Sequence, residues 1–359
     1  MKHVLVVGAG RVGRTIAHML QAEAGYQVHV ADVRPEAAAD VIQEIGAGVA
    51  VEAAVSDEAS LMAAMKGVDA VISAAPFKAN RVIAAAAKKA GVHYLDLTED
   101  VEVTRFVKGL AEGAETAFAP QCGVAPGFIA LAGLHIIDQF DTVDQLTLRV
   151  GALPDQPNNR LKYNLTWSTE GLVNEYLHPC EALRNGEVVS VPPLEGKEEV
   201  VIDGVTYEGF TTSGGVGTLC HTYAGKIRRL DYKTLRYPGH LELIRFLVDD
   251  LRFRNHPDEL VQIFHRSIPA TRDDFVIVSV RGLGRCGDRY EERTFWRKVD
   301  GRLIGETFFT GIEISTAAGV CGVLHVLLHG GVEAKGFVRM EDVGYEPFMA
   351  SPFGAYYSR

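Results

Sequence analysis

Two glycine triplets with one spacing stand in this chain: Gly8, Gly10 and Gly13 in VLVVGAGRVGRTIAHML, and Gly282, Gly284 and Gly287 in VSVRGLGRCGDRY. G-x-G-x-x-G lets a backbone wrap a dinucleotide pyrophosphate, but only in the right context. In the first triplet an apolar run enters the turn and a helical pattern leaves it, with Val12, Ile16, Met19 and Leu20 on its inner side. The amides at that helix start, from Arg11 and Val12 onward, then face the phosphates with the positive end of the helix dipole. Gly8 allows the tight turn, Gly10 the close approach of the phosphates, and Gly13 the packing of helix on strand. A second apolar run ends in Asp32, 19 residues past Gly13, where a carboxylate accepts bonds from the ribose hydroxyls and repels a 2′-phosphate. NAD is therefore the expected cofactor. Arg34, two residues on, either meets a 2′-phosphate or stacks on adenine. The second triplet also follows an apolar run and has Glu306 at 19 residues, yet YEERTFWRKVDGRLIGETFF comes next, aromatic and β-branched. No helix start is available there, so that triplet is expected to be a glycine-rich connection between antiparallel strands.

The elements that must hold these residues follow from periodicity. Between residues 1 and 120, apolar runs at 3–7, 28–32, 49–55, 69–75, 93–97 and 115–119 alternate with helical patterns at 11–23, 36–45, 57–66, 79–90 and 100–112. That alternation predicts an α/β, doubly wound parallel sheet of the Rossmann type. Further on, Asn185-Gly186, Asp203-Gly204 and Asp300-Gly301 sit between β-rich runs as hairpin signals. They predict a second α+β domain on a mainly antiparallel sheet, with an amphipathic helix at 241–251 whose Leu241, Ile244, Leu247, Val248 and Leu251 share a face. The expected domains are 1–127 for the dinucleotide, 128–309 for substrate and oligomerisation, and 310–359 as a helix and tail returning to the first. A net charge of −10 opposes nucleic-acid and anionic-membrane partners. The five cysteines form no C-x-x-C pair, which fits free thiols and, with no secretion signal, a cytoplasmic protein. The apolar run at 319–332 is shorter than the roughly 20 residues of a membrane span and carries His325 and His329, so a buried helix is expected.

YLDLTED, CGVAPGF, YNLTWSTEGLVNEY, TSGGVGTLCHTY and LDYKTLRYPGH, together with the Gly8–Gly13 turn, resemble the saccharopine dehydrogenase-like family over residues 1 to about 330. The last 30 or so residues match nothing known. The resemblance implies NAD-dependent oxidation of lysine at its ε-carbon, through an imine that hydrolyses to allysine, which cyclises, and ammonia. It also implies a homo-oligomer associating through the second domain. The nearest rival is a saccharopine-type enzyme acting on a secondary amine, for which Arg149, Arg160, Arg228 and Arg229 could clamp extra carboxylates. A non-catalytic NAD sensor is the alternative from another class.

The residues themselves are read as follows. Ligands of this fold lie beyond the carboxyl ends of its strands, here Ala74-Ala75-Pro76, Asp96 to Asp100, and Cys122 to Gly127 with Val124. Val55-Ser56-Asp57 either neighbours the adenine or, through Asp57, simply caps a helix. Amine oxidation needs a proton acceptor within hydrogen-bond reach. Asp96 either holds the cationic amine or accepts loop N–H groups, while Glu99 and Asp100 are expected in the solvated first turn of a helix. In Arg236-Tyr237-Pro238-Gly239-His240 a guanidinium, an imidazole and a helix start suit a small-molecule α-carboxylate. His240 could instead be the base, or be structural, and Tyr237 either assists catalysis or packs on the sheet. Thr211 and Thr212 precede flexible glycines, either as a loop closing on substrate or as a plain connection. Tyr163 and Trp167 wall an aliphatic chain or belong to the core. His178 and His221 lack acidic or cysteine companions at ligand spacing, so no metal is expected.

Overall fold

The computed structural model describes residues 1–55 and 57–358, which divide into two compact units. The first comprises Met1–Phe128, Leu303–Phe309 and Glu313–Ser358; the second comprises Ile129–Arg302 with Thr310–Ile312.

In the first unit the strands are β1 (Lys2–Val7), β2 (Tyr26–Asp32), β3 (Val49–Glu52), β4 (Ala70–Ser73), β5 (His93–Asp96) and β6 (Ala117–Ala119). Helices α1 (Arg11–Ala22), α2 (Pro35–Ile45), α3 (Glu58–Ala64), α4 (Asn80–Ala90) and α5 (Val101–Ala111) join them. The order is 3-2-1-4-5-6, every pair is parallel, and the switch point lies between β1 and β4. β1 and β4 are almost wholly apolar because helices cover both faces, so Val4–Val7 and Ala70–Ile72 are buried. A seventh strand, Gly336–Phe337, pairs with β6 and was absent from the sequence expectation. Two residues, one a glycine, carry no periodicity to read. The helix Gly311–Leu328 starts before the apolar run seen in the sequence and is 18 residues long, enough by length and composition to cross a membrane. Most of it is buried within the protein.

The second unit holds a mixed sheet. Its strands are β7 (Thr142–Pro154), β8 (Cys180–Arg184), β9 (Glu187–Val191), β10 (Glu198–Ile202), β11 (Val205–Phe210), β12 (Arg229–Arg236), β13 (Asp274–Cys286) and β14 (Arg289–Asp300), with β10-β11-β12-β7-β13-β14 as the main path. β12 and β7 run parallel; the other pairs are antiparallel. Helices α6 (Phe128–Ile137) and α7 (Thr169–Leu177) flank them in sequence.

Two expected hairpins form. Asn185 and Gly186 (φ 53° and 83°) join β8 to β9, and Asp203 and Gly204 (φ 50° and 76°) join β10 to β11. The third does not. Neither Asp300 nor Gly301 has a positive φ, and the next short strand, Arg302–Ile304, pairs with Thr307–Phe309 around Gly305. The second glycine triplet lies, as expected, where two antiparallel strands, β13 and β14, are joined, but Gly282 and Gly284 are inside β13 and only Gly287 (φ 57°) is in the turn. A Cβ on Gly282 would come 2.5 Å from Ile136, and one on Gly284 2.3 Å from the Thr142 carbonyl, so packing is what requires glycine there.

The amphipathic helix is shorter than its pattern. An α-helix at His240–Arg245 passes into a π turn at Phe246–Asp250. Leu241, Ile244 and Val248 are buried, but the wider turn rotates Leu251 into solvent.

Candidate functional site

The first unit builds a cradle at the head of α1. Gly8 has φ 108°, and a Cβ there would sit 2.8 Å from the Ala74 carbonyl oxygen; one on Gly13 would sit 1.8 Å from the Gly8 carbonyl oxygen. Gly10 differs, because its Cβ would point into open space. It is the N-cap of α1, with no side chain bonded to the helix start and no acid in the first turn. The amides of Arg11, Val12 and Gly13 therefore meet no capping side chain. The Arg11 guanidinium points elsewhere, into an ion pair at 2.5 Å with the buried Glu313.

Asp32, at the end of β2, is pinned by backbone. Its Oδ2 accepts from the Ala9 N–H at 2.8 Å and its Oδ1 from the Arg34 N–H at 2.9 Å. Each oxygen keeps a lone pair for a further donor. The exposed Arg34 guanidinium stays 3.9 Å from Oδ1. A helix start with no capping side chain, open space at Gly10 and a fixed carboxylate fit a dinucleotide, with pyrophosphate at α1 and ribose at Asp32. Asp32→Ala is expected to weaken NAD far more than NADP in equilibrium titrations; equal loss for both would remove Asp32 from the ribose.

The other strand ends sort the remaining candidates. Ala74-Ala75-Pro76 follows β4, and its first peptide lies against Gly8, so it borders the cradle. Val124 is buried within the Cys122–Gly127 segment. Asp57 caps α3 by accepting from the Ala59 N–H at 3.0 Å, which is the plain structural role; Ser56 lies outside the described residues. Asp96 is fully buried and accepts from the Tyr94 hydroxyl (2.8 Å) and the Thr98 and Gln121 N–H groups (2.9 and 3.1 Å). Its carboxylate ties β5 to the segment after β6 and is not presented to a cationic amine. Burial pushes its pKa up, and those three hydrogen bonds oppose the rise. Glu99 departs from expectation in the other direction. Helix α5 begins only at Val101, with Asp100 as cap (Val103 N–H, 2.8 Å), so Glu99 stands outside the helix. It is half-buried at the end of β5, and burial pushes its carboxyl pKa up. The sequence signal was the Asp-first capping pattern, which moves Glu99 out of the first turn.

In the second unit the expected cluster forms around Arg236 but with altered roles. The guanidinium is 2 % exposed and lies over the Tyr163 ring at 5.1 Å and the Tyr176 ring at 5.9 Å. Its Nε donates to the Tyr176 hydroxyl (3.0 Å), and its Nη1 to Thr234 Oγ1 (2.7 Å) and the Leu235 carbonyl (2.8 Å). Nη2 has no hydrogen bond among the described residues and forms an ion pair with Glu175 Oε2 at 4.0 Å. Tyr163 and Trp167 join the surrounding apolar cluster, with the indole N–H donating to the Tyr163 hydroxyl at 3.1 Å. The Thr212 hydroxyl is buried and has no partner among the described residues. Thr211 Oγ1, by contrast, donates to the Pro192 carbonyl (2.8 Å) and accepts from the Glu195 N–H (3.0 Å), so it fastens a loop.

Three further expectations are corrected here. The helix start at His240 offers no anion site, because Glu208 already fills it, accepting from the Gly239 and Leu241 N–H groups at 3.1 and 2.6 Å. Tyr237 packs on Tyr207 and donates to the Pro154 carbonyl (3.0 Å), which is the packing role. His221 does have an acidic companion, Glu181, at 3.2 Å, as an isolated pair.

His240 is fully buried with both ring nitrogens engaged: Nδ1 at 2.9 Å from the Leu161 carbonyl and Nε2 at 2.9 Å from the Tyr176 hydroxyl. A carbonyl only accepts, so Nδ1 carries the proton and Nε2 accepts from Tyr176. No lone pair remains for a substrate proton. Burial, and then the Arg236 cation, hold its pKa down to about 3. The unfolded chain thus binds a proton on this residue between about pH 6.5 and 3 that the folded chain refuses. Its stabilising contribution is complete above about pH 6.5 and is lost as the pH falls through that window. Thermal melts of His240→Gln should accordingly lose less stability between pH 6.5 and 4 than the parent protein; parallel curves would contradict the neutral, buried assignment.

A doubly wound unit with an anion cradle at its first turn, joined in one chain to a mixed-sheet unit with a buried guanidinium, is a dinucleotide-binding architecture with a second, separately folded unit. Comparison with known proteins gives the family. The saccharopine dehydrogenase NADP binding domain matches residues 4–121, and the saccharopine dehydrogenase C-terminal domain matches residues 123–353. The chain belongs to the saccharopine dehydrogenase family. The likeness reaches into the last 30 residues, beyond the segments that carry the resemblance in the sequence.

The alpha-aminoadipic semialdehyde synthase of Arabidopsis thaliana is 25 % identical over 214 residues, 52 % of this chain and 20 % of that protein. The saccharopine dehydrogenase [NADP(+), L-glutamate-forming] of Schizosaccharomyces pombe is 24 % identical over 259 residues, 69 % of this chain and 58 % of that protein. The chain therefore spans only part of these relatives. Apo saccharopine dehydrogenase (L-Glu forming) from Saccharomyces cerevisiae has the same fold, with a TM-score of 0.79, 16 % identity, and coverage of 97 % of this chain and 96 % of that one.

Proposed function

We propose that this chain oxidises the ε-amine of L-lysine, as an L-lysine 6-dehydrogenase does. The C–N single bond becomes an imine with loss of hydride and a proton, and water then releases ammonia and leaves the aldehyde allysine. NAD, when bound, supplies the hydride acceptor. Its pyrophosphate would be held by the amides after Gly10 and its ribose by Asp32, the carboxylate that favours NAD over NADP.

The observation that carries the amino-acid reading is Arg236, a fully enclosed cation whose Nη2 donors go unused among the described residues. A buried donor without a hydrogen bond is costly, and a substrate carboxylate satisfies it with a charge-assisted hydrogen bond from Nη2. Tyr163 and Trp167 give the aliphatic chain an apolar wall, and the Thr212 hydroxyl adds a donor.

The saccharopine-type reading needs additional cationic clamps. Arg149 is bound by both oxygens of Glu198, Arg228 by both of Asp144, and Arg229 by Asp231. Arg160 is exposed and has no ion pair among the described residues. Internal neutralisation of three of the four arginines favours a primary amine. The names of the relatives favour the rival, and one assay separates them. NADH should form with L-lysine and not with saccharopine; faster reduction of NAD or NADP with saccharopine, with L-glutamate released, would move the assignment to a saccharopine-type enzyme.

A further inference from the structure

We infer that Tyr176 and His240 are positioning residues for substrate recognition, fixing the direction in which the Arg236 guanidinium offers Nη2 to an α-carboxylate. The inference rests on the amino-acid reading above and adds to it the residues that hold the recognising cation in place. Four groups stand in one line of hydrogen bonds. The Leu161 carbonyl lies 2.9 Å from His240 Nδ1, His240 Nε2 lies 2.9 Å from the Tyr176 hydroxyl, and that hydroxyl lies 3.0 Å from Arg236 Nε. All three side chains are buried. The two ends of the line fix every proton between them. A carbonyl only accepts and a guanidinium only donates. Nδ1 therefore carries a hydrogen, Nε2 accepts, and the Tyr176 hydroxyl donates to His240 while its oxygen accepts from Arg236.

The line has one stable arrangement. With its hydrogen committed to His240, Tyr176 turns only a lone pair toward the cation. Were Nε2 protonated, the same oxygen would face two donors, and the hydroxyl hydrogen would have no acceptor in the line. Burial pushes the Tyr176 pKa up, against the pull of the Arg236 cation, so the hydroxyl keeps the hydrogen it gives to His240. The His240 ring is itself walled by the rings of Tyr163, Tyr176 and Phe210, at 5.5, 5.9 and 6.5 Å. On the other side of the guanidinium, Thr234 Oγ1 and the Leu235 carbonyl hold Nη1. Two of the three guanidinium nitrogens are thus anchored, which sets the plane of the fork and aims the third. Bonds in such a line polarise one another, and the line adds no anion to compete with a substrate carboxylate.

The test is steady-state kinetics on L-lysine and on cadaverine, which lacks the carboxylate, with melting temperatures measured alongside. Tyr176→Phe keeps the ring and removes the hydroxyl. It should raise KM for L-lysine about tenfold, the scale of one hydrogen bond to a charged group, with kcat within about twofold. Cadaverine should lose much less in kcat/KM. His240→Leu breaks the line one step back and should shift KM for L-lysine in the same direction. His240→Gln, whose amide can donate to Leu161 and accept from Tyr176, should recover most of the parent's KM. Because His240 acts through the hydroxyl, Tyr176→Phe combined with His240→Leu should raise KM no further than Tyr176→Phe alone. A Tyr176→Phe protein with the parent's KM for L-lysine overturns the inference. So do equal losses on both substrates, a double variant whose losses multiply, or a His240→Gln protein no better than His240→Leu. Should His240→Leu melt early, Tyr176→Phe alone decides by the first two of these results. If the parent oxidises L-lysine no better than cadaverine, the amino-acid reading fails and this inference with it. A parent that prefers L-lysine, beside variants that match it, removes only the inference.

Discussion

Gly10→Ala is expected to fold normally and to bind NAD about 10²-fold more weakly, about 2.7 kcal/mol. The glycine turn explains why these effects separate. At Gly10 an added methyl meets nothing within 4 Å, so the protein alone should tolerate it. The space it fills is the space in front of the α1 amides, where a pyrophosphate must approach. Gly13→Ala makes the contrast, since its methyl would lie 1.8 Å from the Gly8 carbonyl oxygen, backbone that cannot rotate away. That variant should lose both stability and binding. Thermal melts and calorimetric NAD titrations on the two proteins check the pair. A Gly10→Ala protein that binds as the parent does would mean that the phosphates do not lie at this turn.

Arg236→Lys is expected to raise KM for L-lysine by about 10²- to 10³-fold while kcat falls much less. Lysine keeps the charge, which limits the destabilisation that follows when a buried cation is deleted. It cannot, however, keep the planar fork. One ammonium cannot bond Tyr176, Thr234 and the Leu235 carbonyl and still offer a donor to a carboxylate. The lost contacts bind ground state and transition state alike, so the effect belongs in KM. Cadaverine, which has no carboxylate, should show little difference between variant and parent. A KM for L-lysine within about threefold of the parent's would take the carboxylate away from Arg236.

Local patterns were legible in the sequence, and contacts made across it were not. Gly8 to Asp32 could be read because strand, turn, helix and acid follow one another directly along the chain. The Asn185-Gly186 and Asp203-Gly204 turns were readable for the same reason. Asp300-Gly301 misled because a dipeptide does not say which strands pair around it. Roles that depend on distant partners stayed hidden. Nothing near His240 announces that Glu208, over 30 residues away in sequence, already bonds the helix start, or that Leu161 and Tyr176 occupy its ring nitrogens. Likewise Asp96 reads as an exposed strand-end acid until Tyr94 and Gln121 close on it. Arg236 was identified by its neighbours in sequence, whereas the rings of Tyr163 and Tyr176 that enclose it come from far along the chain.

The most direct measurement is the initial rate of NADH formation when the purified protein is given L-lysine and NAD at alkaline pH without any keto acid. A lysine-dependent rise in NADH absorbance, with ammonia released in equal amount, is the predicted result. No rise with L-lysine or with any other diamino acid, from protein that binds NAD, would contradict the assignment.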